Sequence, residues 1–259
     1  MEQGMLWAER TWDELPADIR AAGHSAILPV GATEQHGPQL ATGMDTVLAD
    51  VLCKAVGERT KVPVLPAMAY GCSLGHSRRW PGTIALQPMT LIQVAKEIGD
   101  WAYYSGIRRL FIINTHVTNA APLRCALEML RAEHDDMMTT VINTPMLSER
   151  VKKINFSDAE DWHANAAESS LMLAVAPQIA RPEKMASADD PDRTGGLVFA
   201  HPVNRTSLNG VTGKPSLASV AEGKKLFEWM VEDLSATIEK GKSEVPPLDH
   251  SYMSRVSET

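Results

Sequence analysis

Four short apolar runs alternate along the chain with longer amphipathic stretches, and this alternation limits the possible folds more than any other feature. The apolar runs, which predict buried strands, cover residues 25–30, 62–68, 108–114 and 139–144. Between them, residues 45–60, 90–106 and 121–134 repeat apolar positions at a spacing near 3.6, which predicts helices. The pattern predicts an α/β fold with a mainly parallel sheet and helices on both faces. Ligands bind such sheets beyond the carboxyl ends of the strands.

The later part of the chain is less regular. Residues 165–177 and 217–240 predict two more helices. Residues 182–216 are rich in Pro, Gly, Asp and Asn, and predict an ordered excursion or a long loop. The tail, residues 243–259, is predicted to be loose or to pack on a neighbouring subunit. Since no break in composition divides the sequence, we expect a single domain over residues 1–259.

Composition excludes several classes of protein. The 259 residues are 44% apolar and 22% charged, which is ordinary for a globular protein, and the net charge of -7 argues against nucleic-acid binding. No apolar run approaches the roughly 18 residues of a membrane span, and the first residues lack the apolar core of a signal peptide. The three cysteines form no CxxC pair, so we expect free thiols and a cytoplasmic location.

Polar side chains that can bind metal ions follow several predicted strands. The stretch "PVGATEQHGPQL" places Glu34 and His36 directly after the first strand, and Asp45 lies at the start of the next helix. His116 follows the strand that ends in "LFIIN", and Glu168 lies at the start of a later helix. We expect these residues to meet at one edge of the sheet, together with Ser73, His76, Arg78, Asp161 and His163. Mixed histidine and carboxylate sets suit Zn, Mn or Fe, and Asp45 is placed to bridge two ions.

Each of these residues also has a plainer interpretation. Glu34-x-His36 alone is most often a solvated loop, Asp45 alone is most often a helix N-cap, and His116 alone is a histidine satisfied within its loop. Their recurrence at successive strand ends favours the metal site. The remaining histidines lie outside these clusters, and we assign no chemistry to His24, His134, His201 or His250.

Several segments together resemble the creatininase (creatinine amidohydrolase) family. The matching segments, in order, are "LPVGATEQHGPQL" with "MDT", "GHSRRWPGTIAL", "NTHVTN", "HANAAESSLMLA" and "NGVTGKPSLASVAEGKKL". They run from about residue 26 to about residue 225. The resemblance implies a three-layer α/β/α fold, two divalent metal ions per chain, hydrolysis of small and often cyclic non-peptide amides, and a homohexamer.

The resemblance also implies roles for individual residues. The metal ligands implied are Glu34, His36, Asp45, His116 and Glu168, with Asp45 as the bridge. Catalysis is assigned to His163, near the scissile bond, and to Glu168. The substrate pocket is assigned to Ser73, His76, Thr115, Val117, Thr118 and Trp162.

One segment departs from the family pattern. In creatininase proper the residue two after the histidine is a glutamate that helps to hold a metal, whereas Thr118 stands there in this chain. Many relatives have two glycines in this segment, and both are absent here: Thr115 replaces the usual glycine before the histidine, and Val117 and Thr118 follow the histidine. Trp162 is offset from the tryptophans that cover creatinine. A bulkier loop implies a different pocket, so we do not expect creatinine to be the substrate.

The predicted reaction is hydrolysis of a small cyclic amide, or of another non-peptide C–N bond, by a metal-bridging hydroxide, with His163 as the proton shuttle. A lactonase that opens a small cyclic ester at the same centre is the first alternative. A structural metal-binding protein or a nucleotide-binding module is the second, although neither GxGxxG nor GxxxxGK[ST] occurs.

Overall fold

The sheet is parallel, as the alternation predicts. The computed structural model describes residues 5–76, 78–248 and 250–251. Within them, strands β1 (Ser25–Val30), β2 (Arg109–Asn114) and β3 (Met138–Asn143) lie side by side in that order. The register aligns Val30 with Asn114, and Asn114 with Asn143, so the three strands end at one level. Residues that follow the strands therefore start from a common edge.

Helices cover both faces of this sheet. Their bounds are α1 Leu15–Ala21, α2 Met44–Thr60, α3 Pro88–Tyr104, α4 Ala120–Glu133, α5 Glu149–Asn155, α6 Ala166–Val175, α7 Pro182–Met185, α8 Val203–Thr206 and α9 Val220–Lys242. On one face Ile27 and Ile113 pack against α2, α6 and α9. On the other face Leu28 and Ile112 pack against α3 and α4. Alternate strand residues enter opposite cores, which confirms the three-layer α/β/α fold.

The prediction of a regular strand over residues 62–68 is wrong. The segment lies parallel to β1 and exchanges backbone hydrogen bonds with it: Ile27 donates to the Pro63 carbonyl at 2.9 Å, and Met68 donates to the Pro29 carbonyl at 3.0 Å. Pro63 and Pro66 lack an N–H group, so the ladder is interrupted. The segment therefore lies beside β1 and pairs with it only through isolated β-bridges.

The five predicted helices are confirmed, with ends that differ by a few residues. Side-chain caps set two of the starts: Asn165 Oδ1 accepts hydrogen bonds from the first turn of α6, and Ser219 Oγ accepts one from Glu222 N of α9 at 3.1 Å. The Asp45 side chain does not cap α2, because Gly43 holds the N-cap position. The carboxylate of Asp45 is therefore available for other contacts.

The segment 182–216 is an ordered excursion that contains α7 and α8. Arg79 anchors it by donating to the backbone carbonyls of Asn204 at 2.7 Å and Ser207 at 3.0 Å. The predictions for the tail lie partly outside the described residues, since residues 249 and 252–259 are not described. No helix in the described part of the chain combines the length and the apolar character that a membrane span requires.

Gly31 sets how closely the start of α2 approaches the end of β1. A Cβ atom on Gly31 would lie 2.5 Å from both Cα and N of Thr46, and these backbone atoms cannot move aside as a side chain can. Gly31→Ala should displace the first turn of α2, which carries Asp45, and lower the free energy of unfolding by about 1–3 kcal/mol.

The matched control is Gly43→Ala, because a Cβ on Gly43 meets nothing within 4 Å. We expect this variant to lose about 1 kcal/mol or less, the cost of alanine at an N-cap. Urea unfolding of both variants measures the difference, and equal losses would refute the close-approach argument.

Candidate metal centre

Hydrogen bonds between loops hold the strand ends together. Asn119 Oδ1 accepts a bond from Cys72 N at 2.7 Å, and Asn119 Nδ2 donates to the Gly31 carbonyl at 3.0 Å. Thr115 Oγ1 donates to the backbone carbonyl of Asp45 at 2.8 Å. The loops after β1 and β2, the loop at residue 72 and the start of α2 therefore form one connected layer beneath the site.

Asp45 lies between two histidines. Its Oδ1 is 3.5 Å from His36 Nε2, and its Oδ2 is 3.3 Å from His116 Nδ1. Glu34 Oε2 lies 3.2 Å from His116 Nε2, and Glu168 Oε1 lies 3.9 Å from His36 Nε2. All five side chains are buried, with Glu34 fully excluded from solvent. The five predicted ligands are thus brought together, with Asp45 in the middle.

Secondary contacts fix which atoms of these residues face the cluster. His36 Nδ1 donates to the Glu34 carbonyl at 3.1 Å, which leaves Nε2 as a free donor atom for a metal. Glu168 Oε2 accepts a hydrogen bond from Ala164 N at 2.7 Å, which leaves Oε1 toward His36. The His116 Nε2 proton faces the Cys72 carbonyl at 3.2 Å, which leaves Nδ1 toward Asp45.

Three buried carboxylate oxygens have no hydrogen bond among the described residues. They are both oxygens of Glu34 and Oδ2 of Asp45. A buried, unsatisfied carboxylate oxygen is costly, and a bound cation removes that cost. Nitrogen and carboxylate donors in this mixture are those that Zn²⁺ and Mn²⁺ accept. The residues present therefore fit divalent metal ions.

The buried carboxylates of the cluster stabilise the protonated form of the imidazoles beside them. Burial disfavours the imidazolium form of His36, but Asp45, Glu168 and Glu34 outweigh it and raise the pKa of His36 to about 10. Burial also opposes protonation of His116, yet Glu34 and Asp45 raise its pKa to about 9. Burial raises the pKa of Glu34, and raises that of Glu168 to about 7. Burial opposes ionisation of Asp45, but His36 and His116 hold its pKa well below the usual range.

Two further histidines complete the cluster. His76 Nδ1 lies 3.2 Å from Glu34 Oε1, and His163 Nδ1 lies 3.6 Å from the same oxygen. Burial, followed by the charge of His116, lowers the pKa of His76 to about 3. Burial and the neighbouring His76 lower the pKa of His163 well below its ordinary value. Both rings are therefore neutral at pH 7, unlike His36 and His116.

Gln35, which sequence reasoning passed over, orients these two rings. Its Oε1 accepts a hydrogen bond from Gly37 N at 2.9 Å, so its Nε2 is the donor atom of the amide. This Nε2 donates to the Gly210 carbonyl at 3.1 Å and lies 3.0 Å from His76 Nδ1. The backbone carbonyl of Gln35 accepts from His163 Nε2 at 2.9 Å. Because Nε2 of His163 carries the proton, its Nδ1 presents a lone pair to the cluster.

A cavity of about 410 Å³ opens above the cluster. Five of the six predicted substrate-binding residues line it: His76, Thr115, Val117, Thr118 and Trp162. Ser73 is not among the lining residues; it is fully buried, and its Oγ lies 3.1 Å from His116 Nε2, so it contacts a predicted ligand instead. Asp161 also lines the cavity.

Sequence reasoning missed several other cavity residues. His201, which was assigned no chemistry, lines the cavity, as do Met146 and Phe156. No local motif marks these three residues, because irregular segments bring them to the cavity. Gln35 could have been found, since it stands between Glu34 and His36 in the segment that first indicated a site.

An α/β/α fold that gathers histidines and buried carboxylates at its strand ends defines a class of enzyme, the metal-dependent hydrolases. The family model named Creatininase, described as creatinine amidohydrolase, matches residues 8–238. The chain belongs to the creatininase family, and it is a metal-dependent amidohydrolase of that family.

Known relatives cover most of the chain. Creatinine amidohydrolase of Pseudomonas putida is 29% identical over an alignment of 264 positions, and the match covers 95% of this chain and 100% of that protein. A mycofactocin precursor peptide peptidase of Mycobacterium tuberculosis is 31% identical over an alignment of 239 positions, and the match covers 84% of this chain and 85% of the peptidase. The solved structure "Creatininase Mn" has a TM-score of 0.82 at 26% identity and covers 93% of this chain and 100% of its own. A mutant creatininase of Zn-Zn type has a TM-score of 0.83 at 26% identity, with 94% and 100% covered.

Metal binding should become tighter as the pH rises. In the metal-free protein the raised pKa values of about 10 and 9 keep His36 and His116 protonated at pH 7, and a metal must displace those protons. The competition is therefore strongest at low pH and disappears above these pKa values. Each displaced proton contributes about a tenfold gain in apparent affinity per pH unit.

Titration calorimetry of Zn²⁺ or Mn²⁺ into metal-free protein between pH 6 and 8 measures this gain. Repeating the titration in buffers with different heats of ionisation counts the protons released. An affinity that does not change with pH would show that these histidines are not protonated in the metal-free protein.

Proposed function

We propose that the protein uses a dinuclear metal centre to hydrolyse a small cyclic amide or another non-peptide C–N bond. The observation that carries this proposal is the position of Asp45, whose two carboxylate oxygens face two different histidines. A carboxylate in that position can bridge two ions. The names of two relatives, an amidohydrolase and a peptidase, both describe cleavage of C–N bonds and support this type of reaction.

The proposed ligands divide into two sets that share Asp45. Glu34 and His116 would hold one ion, and His36 and Glu168 the other. Zn or Mn is proposed because solved creatininases are described with each of these metals, and Fe also suits the donor set. Ions held there would make a bound water more acidic and would polarise the substrate carbonyl.

Thr118 offers no carboxylate where creatininase proper has its glutamate. Its Oγ1 contacts His116 Nε2 and the Cys72 carbonyl, which fixes the position of this hydroxyl group beside a proposed ligand. We therefore propose that the first ion is held by fewer protein ligands than in creatininase proper, and that Thr118 orients His116.

His163 is the proposed proton carrier. Its Nε2–H group is occupied by the Gln35 carbonyl, so proton transfer must use Nδ1. Since the ring is neutral, Nδ1 first accepts a proton from the attacking water and then donates it to the leaving nitrogen. The hydroxyl group of the water adds to the carbonyl carbon, the C–N bond breaks, and the nitrogen leaves as a neutral amine.

Glu168 is proposed to be a ligand and also a catalytic group, because its free Oε1 lies toward His36 at the floor of the cavity. The roles of His76, Thr115, Val117, Thr118 and Trp162 in substrate binding are proposed from their positions in the cavity wall. Opening of a cyclic ester stays the alternative prediction, and no contact in the cavity favours it.

We also propose a single domain, a homohexameric assembly and a cytoplasmic location. A single domain over residues 1–259 is supported by α9, which returns to pack against α2 and α6. A homohexamer is supported by the family and by exposed apolar side chains on α3, where Trp101 is 72% and Met89 73% exposed. A cytoplasmic location is supported by the three free cysteines, Cys53, Cys72 and Cys125.

Metal content should respond differently to the loss of the bridge and the loss of a single ligand. Asp45→Asn keeps the size of the side chain but removes the charge that both ions share, so we expect it to lose both. His36→Ala should lose mainly one ion, because its Nε2 faces only one side of Asp45. Elemental analysis of protein purified without chelator should give close to two ions per parent chain.

The control is His134→Ala. His134 is also buried, but it pairs with Asp100 at 2.8 Å, away from the cavity. This variant should lose stability and keep its metal. Full activity of the parent protein in excess chelator, with no metal found, would refute the dinuclear proposal.

The role of His163 depends on the leaving group. His163→Ala should keep its metal and its fold, because the backbone at this position is held by paired hydrogen bonds with Thr212 at 3.0 and 2.8 Å. We expect turnover of an amide to fall by about 10²–10⁴-fold, the usual value of general acid–base help. An activated ester should lose less, because its leaving group departs without a proton.

The rate ratio of amide to activated ester, variant against parent, measures this effect. Equal losses on both substrates would assign His163 to metal binding or substrate positioning. Thermal unfolding of the metal-loaded variant separates either result from a loss of folded protein.

A further inference from the structure

Part of the lining of the cavity above the metal centre is apolar. Phe156 and Trp162 meet edge to face, with ring centroids 5.7 Å apart and planes at 85°. Met146, 53% exposed, and Pro202 extend this wall. Surfaces of this kind accept flat apolar groups, because aromatic rings bury large areas and pack edge to face or offset. The wall therefore fits a ring or another planar apolar group next to the reacting bond.

The cavity also carries negative charge without a counter-charge. Glu160 and Asp161 line the cavity, and neither forms an ion pair among the described residues. Their backbone N–H groups both donate to Asp192 Oδ2 at 3.1 Å, which holds the turn in place and adds a third carboxylate beside it. Burial, followed by the charge of Asp192, raises the pKa of Asp161, as expected for a carboxylate that lacks a cation.

No lysine or arginine is among the described residues that line the cavity. Two of the arginines in the neighbouring segments, Arg79 and Arg193, are engaged elsewhere through their guanidinium groups. Arg79 donates to backbone carbonyls of the excursion, and Arg193 pairs with Asp190 at 2.6 Å. An anionic group on a ligand would therefore meet no lysine or arginine among the described lining residues.

Metal ions at the floor of the cavity would not neutralise the negative charges of Glu160 and Asp161. Glu34 is fully buried, neither of its carboxylate oxygens accepts a hydrogen bond among the described residues, and it lines the same cavity, which favours a cation at the floor. Divalent ions there would neutralise the floor carboxylates. Glu160 and Asp161 would remain as charges that repel anions and attract cations over a few ångströms.

We propose that the substrate is an uncharged or cationic amide with a flat apolar group beside the scissile C–N bond, and that Glu160 and Asp161 select against anionic amides. This inference rests on the proposed amide hydrolysis and narrows its substrate class. Amides that carry a carboxylate near the reacting bond, including peptides cleaved close to a free C-terminus, are poor substrates on this account.

The test uses three 5-benzylhydantoins, cyclic amides that share one aryl ring. Their para position carries a hydroxymethyl, an aminomethyl or a carboxymethyl group, so the tail is neutral, cationic or anionic at pH 7. Both the affinity for the metal-loaded protein, by calorimetry, and kcat/KM are measured at low and high salt. We expect the cationic compound to exceed the anionic one by about tenfold or more at low salt, and the ratio to shrink at high salt.

A pair of double variants assigns the effect to the two acids. Glu160→Gln with Asp161→Asn should bring the cationic-to-anionic ratio to within about twofold of unity. The control, Glu58→Gln with Glu183→Gln, changes the net charge equally at exposed positions that do not line the cavity, and it should keep the parent ratio.

The outcomes separate this inference from the proposed function. If the parent protein binds the anionic compound as tightly as the cationic one, or if the control lowers the ratio as much as the test variant does, the charge selection is wrong. If none of the three compounds binds, the proposed substrate class is wrong. If they bind in the expected order but the metal-loaded protein hydrolyses none of them, the binding preference stands and the proposed amide hydrolysis fails for these compounds.

Discussion

Burial of three carboxylates in one small volume is the constraint on which the site depends. Glu34, Asp45 and Glu168 lie at the floor of the cavity, and no lysine or arginine among the described lining residues faces them. A fold can keep such a cluster only if cations neutralise it. In the metal-free protein that charge comes from protons on His36 and His116, and it holds the pKa of both imidazoles above the usual value. In the proposed function, the same nitrogen atoms would serve as metal ligands once the protons leave.

Rigid support beneath the cluster keeps these like charges together. Asn119 and Thr115 join the loops after β1 and β2 to the start of α2, and Gly31 lets that helix approach the sheet closely. Because β1, β2 and β3 end at one level, short loops are enough to bring their polar residues together. Hydrogen bonds and packing in this layer thus fix the positions of the carboxylates, while cations neutralise their charge.

The sequence predicted the features that depend on the spacing of apolar residues and on the position of polar residues after the strands. The α/β alternation, the helices on both faces and the convergence of Glu34, His36, Asp45 and His116 follow from strands that share one carboxyl edge. Other features could not be predicted in this way. Pro63 and Pro66 interrupt an apolar run that reads as a strand, and Ser73 lies behind His116 because its loop turns inward. His201 and Phe156 lie in stretches that no sequence pattern marks as part of a site, and only the tertiary fold brings them to the cavity.

The central claim is that Asp45 bridges two metal ions. X-ray absorption of the Mn- or Zn-loaded protein tests it most directly, because scattering between the two ions reports their separation. The account predicts a metal–metal distance of about 3.5 Å, with mixed nitrogen and oxygen ligands. A protein that holds two ions per chain but gives no metal–metal signal near this distance would contradict the bridge.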